Sequence, residues 1–394
     1  MKISLIHPPQ LNVLDNKQDP PLGLMYIASV LERHGIETSI TDLGGIPERR
    51  WEAHIEAADA YGITCYTATL SYSTRIAGLI RSRYPGRPII AGGAHPSALP
   101  EQTIGRGSFD FVVKGEGESA ILEVLERIAA GSAERIVRGR PAVNLDSIPF
   151  PARHRVDLFG YSRTVLDRKA TNMITGRGCP YGCSFCYKGI YGDNFRLRSA
   201  ENVIREAEEI VDAYGIKAIH FLDDVFTINR QRLHRILDAF RSMDIHFRCN
   251  SRVDLYSLED FEMLYRGGCR EIAFGVESGS QGILDRINKR NTVERNKLAI
   301  ANARRAGIVT KAYFVVGLPG ETPETLGETK RFIEESRPDK ISIYTFVPYP
   351  GTPVWNDPAA YGITITDDDF DNYYIIDTNG FGGITYELST MSRS

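Results

Sequence analysis

Residues 1–135 alternate short apolar runs with longer amphipathic stretches. The runs Ile3–His7, Glu37–Asp42, Asp59–Thr64, Pro88–Ala91 and Phe109–Lys114 read as strands, and helical patterns fall near Leu22–His34, Trp51–Ala57, Tyr72–Arg83 and Ser119–Ala130. Such alternation predicts a parallel sheet covered by helices. Several strands run out into small or turn-forming residues: His7-Pro8-Pro9, Gly92-Gly93-Ala94-His95-Pro96 and Gly115-Glu116-Gly117-Glu118, with Thr64 at the same edge. The carboxyl ends of strands form the ligand crevice of open α/β sheets, and glycine there lets backbone amides approach a large polar ligand. Ordinary turn chemistry would select the same residues.

Residues 136–165 break the rhythm, because Arg140-Pro141 and Ile148-Pro149-Phe150-Pro151 favour extended chain; this is the expected linker, packed rather than free. Alternation then resumes with strands expected at Asn172–Thr175, Ala218–Leu222, His246–Asn250, Glu271–Val276, Thr310–Val316 and Lys340–Phe346. Six βα units predict a partial, TIM-like (β/α)6 barrel over residues 166–352, open on one side to admit a substrate. Residues 353–394 form a short extension rich in acid and tyrosine. The fold class is therefore α/β, two domains in one chain of 394 residues.

Composition narrows the functions. A net charge of −3 leaves no basic footprint for general nucleic-acid binding, and no apolar run approaches the ~20 residues that span a bilayer. The opening Met1-Lys2-Ile3-Ser4 carries no signal-peptide pattern, so a cytoplasmic location with reduced thiols is expected. The chemistry concentrates in Gly178-Cys179-Pro180-Tyr181-Gly182-Cys183-Ser184-Phe185-Cys186. Cys179, Cys183 and Cys186 offer three thiolates within eight residues and no evident fourth. Structural zinc would need a second Cys or His pair, whereas Cys65, Cys249 and Cys269 lie singly and read as core residues. Three thiolates hold three irons of a [4Fe–4S] cube and leave one iron open to a small molecule.

That triplet, placed directly after the first strand of a six-unit βα domain, resembles the loop of radical S-adenosylmethionine (SAM) enzymes, with Phe185 in the aromatic position before the last cysteine. The resemblance extends along the chain. Asp223 and Asp224 after the second strand would contact the SAM amine, and Ser251-Arg252 after the third would meet its carboxylate. Glu277 in Gly275-Val276-Glu277-Ser278-Gly279, and Gly317 and Pro319 in Gly317-Leu318-Pro319-Gly320-Glu321-Thr322, would surround ribose and adenine. Helix capping by Asp223 and Asp224, a surface pair of Arg252 with Asp254 and plain glycine turns are the structural alternatives.

The amino-terminal sheet resembles the Rossmann-like cobalamin-binding domain that often precedes this core, with Pro20-Pro21-Leu22-Gly23-Leu24 and Gly92-Gly93-Ala94-His95-Pro96 as the family-like phrases. The resemblance would place His7, Pro8, Pro9, Thr64, Gly92, Gly93, His95, Gly115, Glu116 and Gly117 around cobalamin. The usual Asp-x-His-x-x-Gly signature is absent, since that stretch reads His7-Pro8-Pro9-Gln10-Leu11-Asn12; the cobalt would lack that histidine ligand and more easily reach Co(I). The resemblance implies a cobalamin-dependent radical SAM methyltransferase acting at an unactivated carbon. Its cofactors would be a [4Fe–4S] cluster, SAM and cobalamin, and its electron donor a flavodoxin or ferredoxin-like protein. A large substrate is expected at the open side, such as a peptide segment of a protein like methyl-coenzyme M reductase, with Tyr187, Tyr373 and Tyr374 as candidate contacts. A cyclase, dehydratase or rearrangement enzyme on the same scaffold, and a cobalamin-binding sensor module, are the rivals.

Overall fold

A computed structural model describes residues 1–10, 15–192, 194–253, 257–375 and 382–390. The first domain is a six-stranded parallel sheet: β1 (Lys2–His7), β2 (Glu37–Asp42), β3 (Ala60–Thr64), β4 (Ile89–Gly92), β5 (Phe111–Lys114) and β6 (Ile136–Arg138). The order β2-β1-β3-β4-β5-β6 reverses direction between β2 and β3, which creates a switch-point crevice at the carboxyl ends of β1 and β3. β6 lies where the sequence predicts linker; it is short, and Arg135 before it and Arg138 at its end hide its pattern. Helices α1 (Leu22–Arg33), α2 (Leu70–Arg83) and α3 (Gly117–Ala129) cover the sheet. The helix expected at Trp51–Ala57 is a single turn, Trp51–His54, anchored by the buried Trp51 indole donating to the Ile46 carbonyl. Two short helices, Ala94–Ala98 and Pro100–Gly105, follow β4 where only a turn is expected.

The second domain is a six-stranded parallel sheet that does not close: β7 (Thr171–Met173), β8 (Ala218–Phe221), β9 (His246–Ser251), β10 (Cys269–Glu277), β11 (Val309–Val316) and β12 (Lys340–Thr345) in sequential order, with β7 and β12 at its two edges. Local signals set the covering helices. Ser199 caps α4 (Ala200–Tyr214) by accepting from Asn202 N, and Gly215 ends it in the left-handed conformation. Asn229 caps α5 (Arg230–Ser242), Ser257 caps α6 (Leu258–Arg266), Thr292 caps α7 (Val293–Arg305), and Thr322 with Thr325 boxes the start of α8 (Pro323–Ser336). On the outer sheet face Phe221, Phe247, Phe274 and Phe314 interlock with Phe240, Phe261 and Phe332 from these helices. Each fully buried Phe contributes roughly 1.5–3 kcal/mol.

The connection between the domains is packed down: Ala152 N donates to the Met25 carbonyl, Tyr161 OH donates to Asp42 at 2.9 Å, and Arg155 pairs with Glu32 at 2.5 Å. The carboxy-terminal extension touches both domains. Its strands β13 (Ile363–Ile365) and β14 (Tyr386–Leu388) form an antiparallel pair beside β11, whereas Phe370 and Tyr373 enter the core of the first domain beside Ile6 and Leu70. Among the described residues no helix is long and apolar enough to cross a membrane.

Candidate active site

The cysteine loop leaves β7 through Gly176–Arg177, which pairs antiparallel with Arg196–Leu197 and closes its neck. Gly178 sits at φ 83°, where a Cβ would stand 2.6 Å from the Asn194 carbonyl, so the first turn of the loop requires glycine. The far side is pinned by Ser184 N donating to Ile287 O and by Asn288 Nδ2 donating to Gly182 O at 2.7 Å. Cys183 is buried, Cys179 half-buried and Cys186 exposed. Among the described residues no three metal-ligating side chains stand as a preformed cluster, so the sulfurs must rotate together around their irons. The surroundings of Cys183 favour its thiolate, whereas burial pushes the Cys179 thiol up and the hydrogen bond to Cys183 pushes the Cys186 thiol up. Arg252 Nη1 lies 3.3 Å from Cys183 Sγ while its guanidinium stacks 3.8 Å over Tyr181, and Lys289 stands 6.0 Å from the Phe185 ring. A hydrogen bond from Cys186 and these two cations push the Cys183 thiol down. Arg252 Nη2 is buried with no partner, which fits the carboxylate that the open-iron ligand would bring.

The other expected SAM residues lie at successive strand ends, and they separate. Asp224 is exposed and faces a cavity, as expected of a ligand contact. Asp223, its neighbour, is buried and accepts from Thr175 N at 2.9 Å and Thr175 Oγ1 at 2.7 Å; its oxygens brace the chain end after β7 and are turned from any ligand. Ser251 Oγ donates to its neighbour's carbonyl and meets Thr227 Oγ1. Glu277, at φ 66°, pairs with Lys289 at 2.6 Å. Gly317, at φ 84°, receives the Tyr386 hydroxyl on its carbonyl at 2.8 Å and donates its amide to Glu321. Pro319 beside it is buried. Asp254, the alternative partner of Arg252, lies outside the described residues, as do Leu11 and Asn12.

Between the domains is a cavity of about 510 Å³. The first sheet contributes His7, Thr64, Gly92, Gly93, Gly115, Glu116 and Gly117, and the second domain faces them with Asn172, Leu222 and Asp224. A Cβ on Gly92 would meet nothing nearer than Val113 at 3.9 Å, so a side chain there would fill space the glycine leaves to a ligand. Gly93 at φ 110° and Gly115 at φ 89° hold turns that other residues adopt with strain. These glycines fit the broad, flat body of a corrin. Burial pushes His7 down, so it faces the cavity as a neutral imidazole.

The cobalamin expectations for Pro8, Pro9 and His95 need correction. Pro8 and Pro9 are buried and do not line the cavity. His95 is fully buried, with Nδ1 3.3 Å from Thr67 Oγ1 and its ring edge-on to Phe370 at 4.8 Å; the short helix it sits on turns it into the core. Glu116 lines the cavity but is committed to Arg177 at 2.7 Å and to Arg196. Tyr373 is likewise core, its hydroxyl donating to Asp367 O, while the Tyr187 ring abuts Gly351. Lining residues absent from the sequence-based set include Asp19, Tyr26, Arg177 and Tyr191. Arg177 was the readable one, a cation immediately before Gly178 and Cys179.

A radical SAM superfamily model matches residues 173–333, and a B12 binding domain model matches residues 17–125. An uncharacterized methyltransferase of Pyrococcus horikoshii is 30% identical over 93% of this chain and 85% of its own length. The chain belongs to the cobalamin-dependent radical SAM enzymes, methyltransferase type. Family membership brings the [4Fe–4S] cluster, SAM and cobalamin. An anaerobic magnesium-protoporphyrin IX monomethyl ester cyclase of Rubrivivax gelatinosus is 26% identical over 84% of this chain, which spans 65% of that protein. Among solved structures, the radical SAM methyltransferase TsrM of Kitasatospora setae, with cobalamin and a [4Fe–4S] cluster bound, superposes with a TM-score of 0.75 at 18% identity. It covers 98% of this chain and 84% of its own. The cobalamin-dependent radical enzyme OxsB, with aqua-cobalamin bound, gives 0.70 at 20% identity, covering 84% of this chain and 52% of that one.

Proposed function

We propose that this enzyme methylates an unactivated carbon of its substrate in the interdomain cavity. The supporting observation is that a single cavity touches both the strand ends of the first sheet and Asp224 beside the cysteine loop, so both cofactors open onto one space. When bound, the cluster and SAM supply a hydrogen-abstracting 5′-deoxyadenosyl radical, and cobalamin carries the methyl group. The chain's own residues hold and orient. Cys179, Cys183 and Cys186 hold three irons; Arg252 offers its unpartnered Nη2 to the SAM carboxylate; Asp224 accepts from a cationic or hydroxyl group at the cavity mouth. The Glu277–Lys289 pair keeps a fixed cation beside Phe185 and the sulfurs.

The reducing electron comes from a flavodoxin or ferredoxin-like donor in this reading. A peptide segment, for which methyl-coenzyme M reductase is the precedent, is one substrate. The relatives named for a cytidylyl phosphonate, bacteriochlorophyllides and a hopanoid favour non-peptide molecules. The cyclase relatives support a second reading, ring formation without methyl transfer. Anaerobic turnover of the reconstituted enzyme with methyl-labelled SAM separates the two. Methyl transfer predicts one equivalent of S-adenosylhomocysteine per bound cobalamin before substrate is added, and labelled product after. Formation of 5′-deoxyadenosine with neither would sink the methyltransferase reading.

A further inference from the structure

Closed TIM barrels fill their interior with layers of branched apolar side chains. The inner face of this half barrel is different. Phe247, Cys249, Ile272, Phe274, Ala312 and Phe314 point outward into the helix-covered core, so the residues alternating with them line the concave side. Those are Arg248 on β9, Glu271 on β10, Lys311 and Tyr313 on β11, and Tyr344 on β12. Register places Arg248 beside Glu271 and Lys311 beside Lys340. Lys340 reaches across β11 to Glu271 at 2.5 Å. Lys311, Tyr313 and Tyr344 are only half-buried, so the face is reachable and not packed.

Its charges do not balance. Glu271 takes both Lys340 and Arg248, the latter at 3.3 Å, and Asp19 from the first domain takes Arg163 and the His220 ring. Lys311 has no carboxylate within hydrogen-bonding distance among the described residues and instead stands 5.1 Å over the Tyr313 ring. Arg248, 8% exposed, has a buried Nε with no partner, and its Nη2 reaches the Tyr313 hydroxyl only at 3.4 Å. An orphaned Arg248 Nε beside a half-buried Lys311 with no carboxylate partner among the described residues calls for an acceptor from outside the chain.

We propose that the inner face of the half barrel holds an oxyanion group of the substrate, a carboxylate or a phosphate, against Arg248, Lys311 and the Tyr313 hydroxyl. The inference rests on the proposed reaction and adds the substrate's chemical class. It also fixes a span. Arg248 lies four residues before Arg252, so the oxyanion and the carboxylate held by Arg252 are about 13 Å apart at ~3.3 Å per strand residue.

Calorimetric titration of the reconstituted holoenzyme with inorganic phosphate and, separately, succinate, at constant ionic strength set with KCl, tests this. Saturable binding of at least one is expected, and the one that binds names the class. Lys311→Met should weaken it tenfold or more, because a charge-assisted contact is lost. Lys297→Met, which alters an exposed lysine paired with Glu335, should leave it unchanged. Tyr313→Phe provides a second, conservative variant should Lys311→Met fold poorly, and should also weaken binding. Absence of saturable binding by either anion, or wild-type binding by the inner-face variants, overturns the proposal. Production of S-adenosylhomocysteine by the wild type is measured separately, so failure of the methyl-transfer reading and failure of the oxyanion site are told apart.

Discussion

Neighbouring residues of one chemical type divide the labour of this site. Asp223 and Asp224 follow β8 side by side, yet one is sealed against Thr175 and the other opens to the cavity. Burial pushes Asp223 up to about 6, against the pull of Thr175, Arg232 and Arg198, whose charges soften the desolvation of its carboxylate. Glu321 shows the same competition more clearly. It is 1% exposed, and burial raises it to about 7 despite hydrogen bonds from the amides of Gly317 and Leu318. A folded-state value above the unfolded 4.5 means that the contribution is fully present below about pH 4.5 and is lost as pH rises through 7. Glu321→Gln should therefore remove a pH-dependent loss on the order of 2–3 kcal/mol. Urea unfolding of both proteins at pH 5 and pH 8 measures it: the variant should gain on the wild type at pH 8, and an equal pH dependence in the two would refute the assignment.

At the scale of elements, the strand ends carry the function and their turns are the sensitive points. Gly93 follows β4 at φ 110°, and a Cβ there would stand 2.8 Å from the Cys65 carbonyl at the neighbouring strand end. Gly93→Ala should therefore both strain the turn, by about 1–3 kcal/mol, and displace the backbone lining the cavity. The expected result is a lower unfolding midpoint together with loss of cobalamin retained after reconstitution and gel filtration, read from the corrin absorbance. Retention equal to the wild type would show that this turn does not support the corrin. The strands were legible because fully buried parallel strands read as apolar runs bounded by glycine and proline. β6 was hidden because three residues at an edge need no apolar run, and the helices after β4 because Pro96 and Pro100 read as breakers although each stands in the first turns of its helix. In the site, the cysteine loop could be read from spacing alone. The orientation of His95 could not, since it depends on Phe370, 275 residues away in the chain.

The whole molecule behaves as two sheets joined by buried charge. Glu116, at the carboxyl edge of the first sheet, is 3% exposed and accepts from Arg177 and Arg196, the two residues that close the neck of the cysteine loop. Arg177 is held also by Glu118 and lies between the Tyr26 and Tyr191 rings, so one guanidinium touches the first domain, the cluster loop and the cavity wall. Removing one member of such a set leaves desolvated charge behind, and loss of a buried partner is worth about 3–5 kcal/mol. Glu116→Gln keeps the shape and removes the charge; Glu118 compensates part of it, so a loss near the lower end is expected. Because the pair lies between domains, its loss should change cooperativity as well as midpoint. Calorimetric unfolding of the wild type should give one transition, and the variant two, with the first-domain transition shifted down. Cluster content should fall in parallel, as the loop neck loosens where Arg177 and Arg196 lose their common acceptor. A single unshifted transition with full iron content would mean that the carboxy-terminal extension, through Phe370 and Tyr373, holds the domains together without this charge pair.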